Sequence, residues 1–377
     1  MKLVKTKSRI AYPDAIACAV SFLEGSMYTI TLEVNQICNL RCNYCYLGKK
    51  TNQKMKEEIA YKGLEIAFLN AVKHKDRRLW VDFVGGEALL SFSFLKQLVK
   101  YIERQALERD IFVTYSITTN GTILNEEILE WLIRYKIHLK VSIDGDEETH
   151  NRNRKWIDGV GSYANIIEND VYFKEYEKQT KQYIQAAHVV TQNNYEETFQ
   201  SVCHLIENLN FRVVDSSIDV MHRWTTDQLN DLADEWEKVL CYYIKKQKAG
   251  KAFLWGPVLD LKKYGENNGK TGFCGVGLIQ IYVKVDGRIF GCAANLESSG
   301  CIGDVDNGLS MGRIKKWREL GKEDTMCSKC GIHEACQSKN CIMNSLAYSG
   351  TINEHNPDMC YFERKKRSLW EKYAIEL

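Results

Sequence analysis

The chain of 377 residues contains 51 basic and 49 acidic residues and has a formal net charge of +2, a balance that gives no electrostatic basis for binding nucleic acid or an anionic membrane. No apolar stretch approaches the roughly 20 residues that a membrane helix needs, and the start Met-Lys-Leu-Val-Lys-Thr-Lys lacks the apolar segment of an export signal. We therefore predict a cytoplasmic protein, in whose reducing surroundings the 14 cysteines are better metal ligands than disulfide partners.

Short β-rich runs alternate with longer helical patterns from Tyr28 to about Asp219, which is typical of parallel βα units. Six strands are predicted at Tyr28–Val34, Leu79–Val84, Phe112–Thr118, His138–Ile143, Tyr183–Val190 and Phe211–Ile218. Helical periodicity is read at Lys54–Val72, Ser91–Glu108, Asn125–Tyr135, Ser162–Glu177, Tyr195–Leu209 and Thr226–Gln247. The pattern predicts an α/β fold in which six βα units form a partial (β/α)6 TIM-like barrel.

The composition changes after this region and suggests where the chain divides. We predict a short extension over 1–27, the barrel over 28–225, a helical connector over 226–265, a cysteine-rich domain over 266–363 and a tail over 364–377. The fourth segment is dense in glycine and cysteine and has few long periodic runs. We therefore expect bound metal clusters, and not a large apolar core, to hold it together.

Three cysteines follow the first predicted strand with the spacing C-x3-C-x2-C, at Cys38, Cys42 and Cys45. Three thiolates hold only three corners of a cubane iron–sulfur cluster, so the fourth iron is open to a small molecule. A zinc site is the alternative, but structural zinc prefers four ligands. With its spacing and its place after a strand, the motif resembles that of the radical S-adenosylmethionine (SAM) superfamily. This resemblance implies that SAM binds the open iron of a [4Fe–4S] cluster and is cleaved to a 5′-deoxyadenosyl radical.

The other predicted strand ends carry residues that match the SAM-binding motifs of this family. Gly85-Gly86-Glu87 resembles the motif that contacts the amino group of SAM, while a serine and an arginine of the family contact its ribose and carboxylate. Each match alone has an ordinary explanation, such as a turn, a helix cap or a surface arginine. Their joint order at successive strand ends supports the assignment. The cofactor-binding residues that the resemblance implies are Tyr44, Gly85, Gly86, Glu87, Asn120, Ser142 and Arg154.

The C-terminal cysteines resemble the SPASM domain, which holds two auxiliary [4Fe–4S] clusters in radical SAM enzymes that modify peptides or proteins. The array consists of Cys274, Cys292, Cys327, Cys330, Cys336, Cys341 and Cys360. It departs from the family in one place, because four residues separate Cys336 from Cys341 where three are usual. A pair of zinc-ribbon sites is the alternative, since four-cysteine zinc sites also use C-x2-C pairs.

The resemblance also implies which cysteines share a cluster. The outer cluster would be bound by Cys327, Cys330, Cys336 and Cys360. The inner cluster would be bound by Cys274, Cys292 and Cys341, and Cys301 is the nearest unassigned thiol that could complete it. Cys301 could instead act catalytically, as the thiol that returns a hydrogen atom in an epimerisation. In total the chain is expected to bind SAM and three [4Fe–4S] clusters.

These resemblances favour a maturase that abstracts hydrogen from a ribosomal precursor peptide and leaves a carbon–carbon or thioether crosslink or an epimerised residue. Its expected partners are that peptide and a reductant such as flavodoxin or ferredoxin. Only 27 residues precede the first strand, so either a separate leader-binding protein presents the peptide or its core sequence is recognised directly. An anaerobic sulfatase-maturating enzyme is the second hypothesis. That family has an aspartate where this chain has Ala293, although Asp304 or Asp306 could substitute. An iron–sulfur electron carrier or sensor is a third.

Overall fold

The computed structural model describes residues 27–265, 275–320 and 326–377. The predicted extension, except for Met27, and the predicted ligand Cys274 therefore lie outside the described residues. Across the described ranges, no helix has the length and apolar character needed to cross a membrane.

Six parallel strands form the centre of the sheet and follow one another in chain order. They are β1 (Tyr28–Glu33), β2 (Arg78–Val84), β3 (Phe112–Thr119), β4 (His138–Ser142), β5 (Gln185–Val190) and β6 (Val213–Ile218). Every predicted strand is present, with ends within two residues of the expected ones. The prediction of an α/β fold with a partial barrel of six βα units is confirmed.

Helices cover one face of these strands. They are α1 (Glu57–Ala71), α2 (Phe92–Arg109), α3 (Glu126–Arg134), α4 (Glu147–Asn153), α5 (Tyr163–Glu168), α6 (Asp170–Thr180), α7 (Thr198–Glu207) and α8 (Thr226–Lys248). The strand residues facing the helices are apolar and fully buried, such as Ile30, Val81 and Ile117, and this burial is the main driving force of the fold. Local signals mark the helix starts: Thr225 and Gln228 form a capping box at α8.

The sheet continues beyond the six predicted strands on both sides. On one side β7 (Leu254–Trp255) pairs with β6 and leads into α9 (Gly256–Lys262). On the other side β8 pairs in parallel with β1, and three antiparallel strands extend it. These four strands are β8 (Gln280–Val283), β9 (Arg288–Phe290), β10 (Cys301–Asp304) and β11 (Gly308–Leu309). One sheet of eleven described strands thus joins the barrel to the cysteine-rich region.

The C-terminal region adds three described helices, α10 (Met311–Leu320), α11 (Ile342–Ser349) and α12 (Pro357–Tyr373). The longest of them, α12, packs against α8, where the rings of Phe362 and Trp236 lie 4.9 Å apart with an edge-to-face geometry. The predicted division between 363 and 364 falls inside this helix.

Candidate functional site

The cysteine loop lies between β1 and α1 and is held by the loop that follows α4. The backbone N–H of Arg41 donates to Lys155 O at 2.7 Å, and that of Asn43 donates to Asn153 O at 3.0 Å. The thiols of Cys38, Cys42 and Cys45 are close enough to influence one another electrostatically. Burial raises the pKa of the Cys42 thiol to about 11, so the thiolate form requires a compensating positive charge such as that of bound iron.

Each of the three sulfur atoms is approached by a nitrogen donor from a different part of the chain. Asn120 Nδ2 lies 4.0 Å from Cys38 Sγ, and Arg154 Nη1 lies 4.0 Å from Cys42 Sγ. The ammonium of Lys50 contacts Cys45 Sγ. Donors directed at thiolate sulfur favour a reducible iron–sulfur cluster. The residues of this loop therefore fit the cluster that the sequence predicts.

Gly85 and Gly86 bring the turn after β2 against the backbone that enters the cysteine loop. A Cβ atom on Gly86 would lie 2.2 Å from Ile37 O, and one on Gly85 would lie 2.7 Å from Asn35 O. The two segments are joined by a hydrogen bond from Gly86 N to Asn35 O at 2.9 Å. The sequence motif indicates such a close backbone approach, and the structure shows that the partner is the protein's own chain.

The Glu87 carboxylate is buried and already accepts three hydrogen bonds. Its Oε1 accepts from Leu89 N and Thr119 Oγ1, each at 3.0 Å, and its Oε2 accepts from Asn120 N at 2.7 Å. Burial raises the pKa of this carboxyl above its ordinary value, although the three donors counteract the effect. The side chain thus ties the turn after β2 to the end of β3 and orients Asn120. Its predicted contact with the amino group of SAM remains a prediction.

Arg154 forms a buried ion pair with Asp144, a residue that the motif search did not single out. Its Nε and Nη2 donate to the two Asp144 oxygens at 2.9 and 3.2 Å, and the Tyr44 hydroxyl donates to the same carboxylate at 2.6 Å. The guanidinium carbon also lies 5.1 Å from the centroid of the Tyr44 ring. Two of the guanidinium nitrogens are therefore used inside the protein, and Nη1 is the one directed at Cys42.

Asp144 organises this end of the barrel. Burial alone would raise the pKa of its carboxyl, but the charge and hydrogen bonds of Arg154, together with the nearby His150 and His188, more than offset burial and lower the pKa below its ordinary value. Asp144 Oδ1 also accepts from Val189 N on β5 at 3.0 Å. Ser142, the last residue of β4, lies two positions earlier and is largely buried. Sequence inspection could have identified Asp144, because it is an acidic residue two positions after Ser142 and ten positions before Arg154.

A cavity of about 420 Å³ lies inside the barrel next to the cysteine loop. Many of its lining residues alternate along the strands with the buried core positions. The wall mixes polar side chains with apolar ones such as Val84 and Val213. Its lining includes Tyr46, directly after Cys45, and Cys292 and Ala293 of the C-terminal region. The remaining lining residues are Thr29, Thr31, Trp80, Asp82, Val84, His138, Leu139, Lys140, Tyr183, Gln185, Val213, Asp215, Gln280, Ile281, Tyr282 and Gly291.

The structure brings together the cysteines predicted to bind the outer auxiliary cluster. The pKa of the Cys360 thiol is raised, first by burial and then by the neighbouring Cys327 and Cys330 thiols. Burial raises the pKa of the Cys336 thiol to about 12, and Cys360 adds to this effect. Among the described residues, no group of three or more His, Cys, Asp or Glu side chains is placed to hold a single metal ion. The ligand sets of both auxiliary clusters stay predictions.

Cys341 begins the helix α11, and Cys301 begins β10, where its thiol donates to Gly303 O at 3.4 Å. Cys301 is not among the residues that line the cavity, so neither its predicted catalytic role nor its role as a ligand has a contact to support it. Asp304 caps the turn that follows and accepts from Asn307 N at 2.8 Å, while Asp306 pairs with Lys62 at 2.7 Å. Both carboxylates lie outside the cavity that Ala293 lines.

A partial α/β barrel with an open cysteine triad at the end of its first strand defines the class of this protein. The family model "Radical SAM superfamily" matches residues 32–233, more than half of the chain. The chain belongs to the radical SAM superfamily, as the sequence motifs predict. Membership implies SAM and a [4Fe–4S] cluster, and Cys38, Cys42 and Cys45 stay its predicted ligands.

Among individual proteins, the chain is similar to the uncharacterized protein MJ0907 of Methanocaldococcus jannaschii, with 27% identity over 293 residues that cover 77% of this chain and 93% of that protein. It is 22% identical over 379 residues to the radical SAM cyclopropyl synthase TigE of Paramaledivibacter caminithermalis, covering 91% of this chain and 72% of TigE. A solved structure of anSMEcpe with bound AdoMet and Cp18Cys peptide matches with a TM-score of 0.76 at 18% identity, over 93% of this chain and 98% of that chain. This likeness confirms the fold.

Proposed function

We propose that this protein is a radical SAM maturase that modifies a ribosomal precursor peptide, giving a crosslink or an epimerised residue. The observation that carries the proposal is the cavity, whose lining includes both Tyr46 of the cysteine loop and Cys292 of the C-terminal cysteine field. A peptide side chain in this cavity would lie between the two places where electron transfer is expected. The solved structure of anSMEcpe that shares this fold holds a bound Cp18Cys peptide, which supports a peptide as the class of substrate.

The cofactor supplies the radical chemistry when it is bound, since reductive cleavage of SAM yields the 5′-deoxyadenosyl radical that abstracts hydrogen. The chain's own residues position the reactants. Asn120 and Arg154 direct donors at the cysteine sulfurs, and Asp144 holds the Arg154 guanidinium in place. An electron carrier such as flavodoxin or ferredoxin would supply the reducing electron, and a separate protein could present the leader segment of the peptide.

The proposal includes two auxiliary [4Fe–4S] clusters in addition to the SAM cluster. Protein reconstituted without oxygen should therefore contain about 12 iron atoms per chain, because three cubanes hold four each. Replacing Cys38, Cys42 and Cys45 together by alanine should remove about a third of this iron, measured by iron and sulfide analysis. Zinc in place of iron in that triple variant would contradict the assignment of the C-terminal cysteines.

The anaerobic sulfatase-maturating enzymes remain the alternative, because anSMEcpe shares the fold. The expected base of those enzymes is replaced by Ala293, and Asp304 and Asp306 lie elsewhere. The sulfatase reaction would then need a carboxylate from another part of the cavity, Asp82 or Asp215, to accept the substrate proton. This difference favours a peptide-crosslinking or epimerising reaction over formylglycine formation.

The proposed function can be tested by co-expression with the small open reading frames beside the gene, followed by mass spectrometry of each peptide. A crosslink should appear as the loss of two hydrogen atoms, whereas epimerisation should leave the mass unchanged and incorporate one deuterium in heavy water. The same reduced enzyme should be incubated with SAM and a sulfatase-derived peptide that contains a Cys-x-Pro-x-Arg core. Formation of formylglycine from that cysteine would overturn the proposal in favour of the alternative.

A further inference from the structure

Three charged side chains, Asp82, Lys140 and Asp215, project into the cavity from alternate strands of the barrel. We call them the lumen cluster. They are on β2, β4 and β6, at positions that alternate with fully buried apolar residues, so they face the lumen and not the helices. Neither the cysteine motifs nor the SAM-binding motifs include any of them.

Asp82 and Lys140 are close but do not form a tight pair. Lys140 Nζ lies 3.6 Å from Asp82 Oδ1, and the side chains of Lys140 and Asp82 are 30% and 15% exposed. The same Asp82 oxygen accepts from the Ser116 hydroxyl, which in turn accepts from Trp80 Nε1 at 2.7 Å. Asp82 is therefore held firmly in the wall, while Lys140 keeps donor capacity toward the cavity.

The charge of Lys140 also acts on the carboxyl of Asp215. Its Oδ2 accepts from Gln185 Nε2 at 3.3 Å. Burial raises the pKa of its carboxyl, nearby Asp260 adds to this, and Lys140 and Lys263 counteract it. Asp260 and Lys263 form their own ion pair at 2.6 Å, so together they add little net charge at Asp215. Lys140 is thus the one lining cation available to Asp215.

Among the described residues that line the cavity, one negative charge is left uncompensated when both carboxylates are ionised. Burial lowers the pKa of His138, the other basic residue of the lining, to about 4, so it is neutral near pH 7. One lysine then serves two carboxylates. A partly buried carboxylate without a cation is unfavourable, because the interior solvates charge poorly. A positively charged group entering the cavity would counteract the burial that raises the pKa of Asp215 and would favour its ionised form.

We propose that the lumen cluster binds a cationic side chain of the substrate, a lysine or an arginine, through Asp82 and Asp215. The proposal rests on the proposed peptide substrate and narrows its chemistry. The cavity of about 420 Å³ falls within the usual size range of ligand sites. The carboxylates would orient the cationic residue inside the barrel, and the charge of Lys140 would moderate its affinity by repulsion.

The test measures the affinity of cluster-loaded protein, saturated with SAM, for small probes by calorimetry or saturation-transfer NMR. The probes are Nα-acetyl-lysine methylamide and its neutral and anionic counterparts made from norleucine and glutamate. The lysine probe should bind at least about tenfold more tightly than either. Asp215→Asn and Asp82→Asn should each weaken it about tenfold, as expected when a charge a few Å away is removed from a poorly solvated site.

Lys140→Met keeps the test independent of folding defects, because this variant should bind the lysine probe about tenfold more tightly. Damage to the fold cannot produce that gain. Asp304→Asn, which changes a carboxylate outside the cavity, is the matched control and should bind like the wild type. Three results would overturn the proposal. They are equal binding of the lysine and norleucine probes, weaker binding of the lysine probe by Lys140→Met than by the wild type, and no binding of the lysine probe to the wild type or to Lys140→Met.

The outcome is separable from that of the proposed function. Probe binding with the expected signs, but no modified peptide, would reject the maturase proposal and leave the lumen cluster as a cation site. A modified peptide without these binding effects would support the maturase proposal and reject the lumen cluster as a cation site.

Discussion

Cys42→Ala should reduce the formation of 5′-deoxyadenosine by the dithionite-reduced enzyme to below about one hundredth of the wild-type rate. Loss of a residue that only hydrogen-bonds a metal ligand already costs 10- to 100-fold in metal sites, and Cys42 is predicted to bind iron directly. It is also the cysteine that the buried Arg154 approaches, at 4.0 Å from Sγ. The product can be quantified by liquid chromatography and mass spectrometry after anaerobic incubation with SAM.

A matched control is Cys203→Ala, which removes a thiol from α7, outside both cysteine fields. This variant should cleave SAM at the wild-type rate and retain all of its iron. Cys42→Ala should retain the iron of the C-terminal clusters, which shows that the loss is local. Wild-type deoxyadenosine production by Cys42→Ala would reject the assignment of this loop as the SAM site.

Asp144→Asn should lower the free energy of unfolding by about 3–5 kcal/mol, because it leaves the Arg154 guanidinium buried without its counter-charge. Both side chains of this pair are almost inaccessible to solvent, at 7% for Arg154 and 0% for Asp144. The hydrogen bond from the Tyr44 hydroxyl would be weakened as well, since its acceptor is no longer charged. The effect can be measured by anaerobic denaturant unfolding at neutral pH.

The double variant Asp144→Leu/Arg154→Met should be more stable than the sum of the two single changes predicts. Removing both charges leaves no unpaired ion, and the coupling in such a cycle reports the pair directly. Glu127→Gln, which breaks the exposed ion pair with Lys96, should change the unfolding free energy by about 0.5 kcal/mol or less. If Asp144→Asn were as mild as Glu127→Gln, the buried pair would not organise this end of the barrel.

The barrel could be predicted from the sequence because its strands are short apolar runs separated by amphipathic helices of ordinary length. Tyr28–Glu33 illustrates this: it alternates side chains for the two faces of the sheet and is followed at once by a recognisable motif. The helix predicted over Ser162–Glu177 was less accurate. The structure has two helices there, with a break at Asn169 between α5 and α6.

The extra strands could not be predicted in the same way. β7 has two residues and β8 has four, which is too short for any period to be detected. Their pairing depends on the free edges of β6 and β1, a property of the folded sheet and not of the local sequence. The same holds for Glu87, whose three donors come from the segment 89–120 and cannot be read from the Gly-Gly-Glu motif.

The site was predicted residue by residue only where a motif has a fixed spacing. Asp144 was not predicted as a site residue because its importance arises from its ion pair with Arg154. A lone aspartate before a glycine usually indicates a turn. The lumen cluster was not predicted because Asp82, Lys140 and Asp215 are far apart in the chain. They become neighbours only when β2, β4 and β6 form the wall of one barrel.

The pairing of β8 with β1 determines whether the two halves of the enzyme can be separated. β1 leads directly into the cysteine loop, and β8 satisfies one edge of it through Ile30↔Ile281 and its neighbours. A fragment ending at the connector would expose that edge, with its unpaired backbone groups and the apolar side chains that β8 covers. The C-terminal region is thus a structural component of the barrel as well as a place for clusters, and exchanging it between relatives requires a grafted β8 that keeps this register.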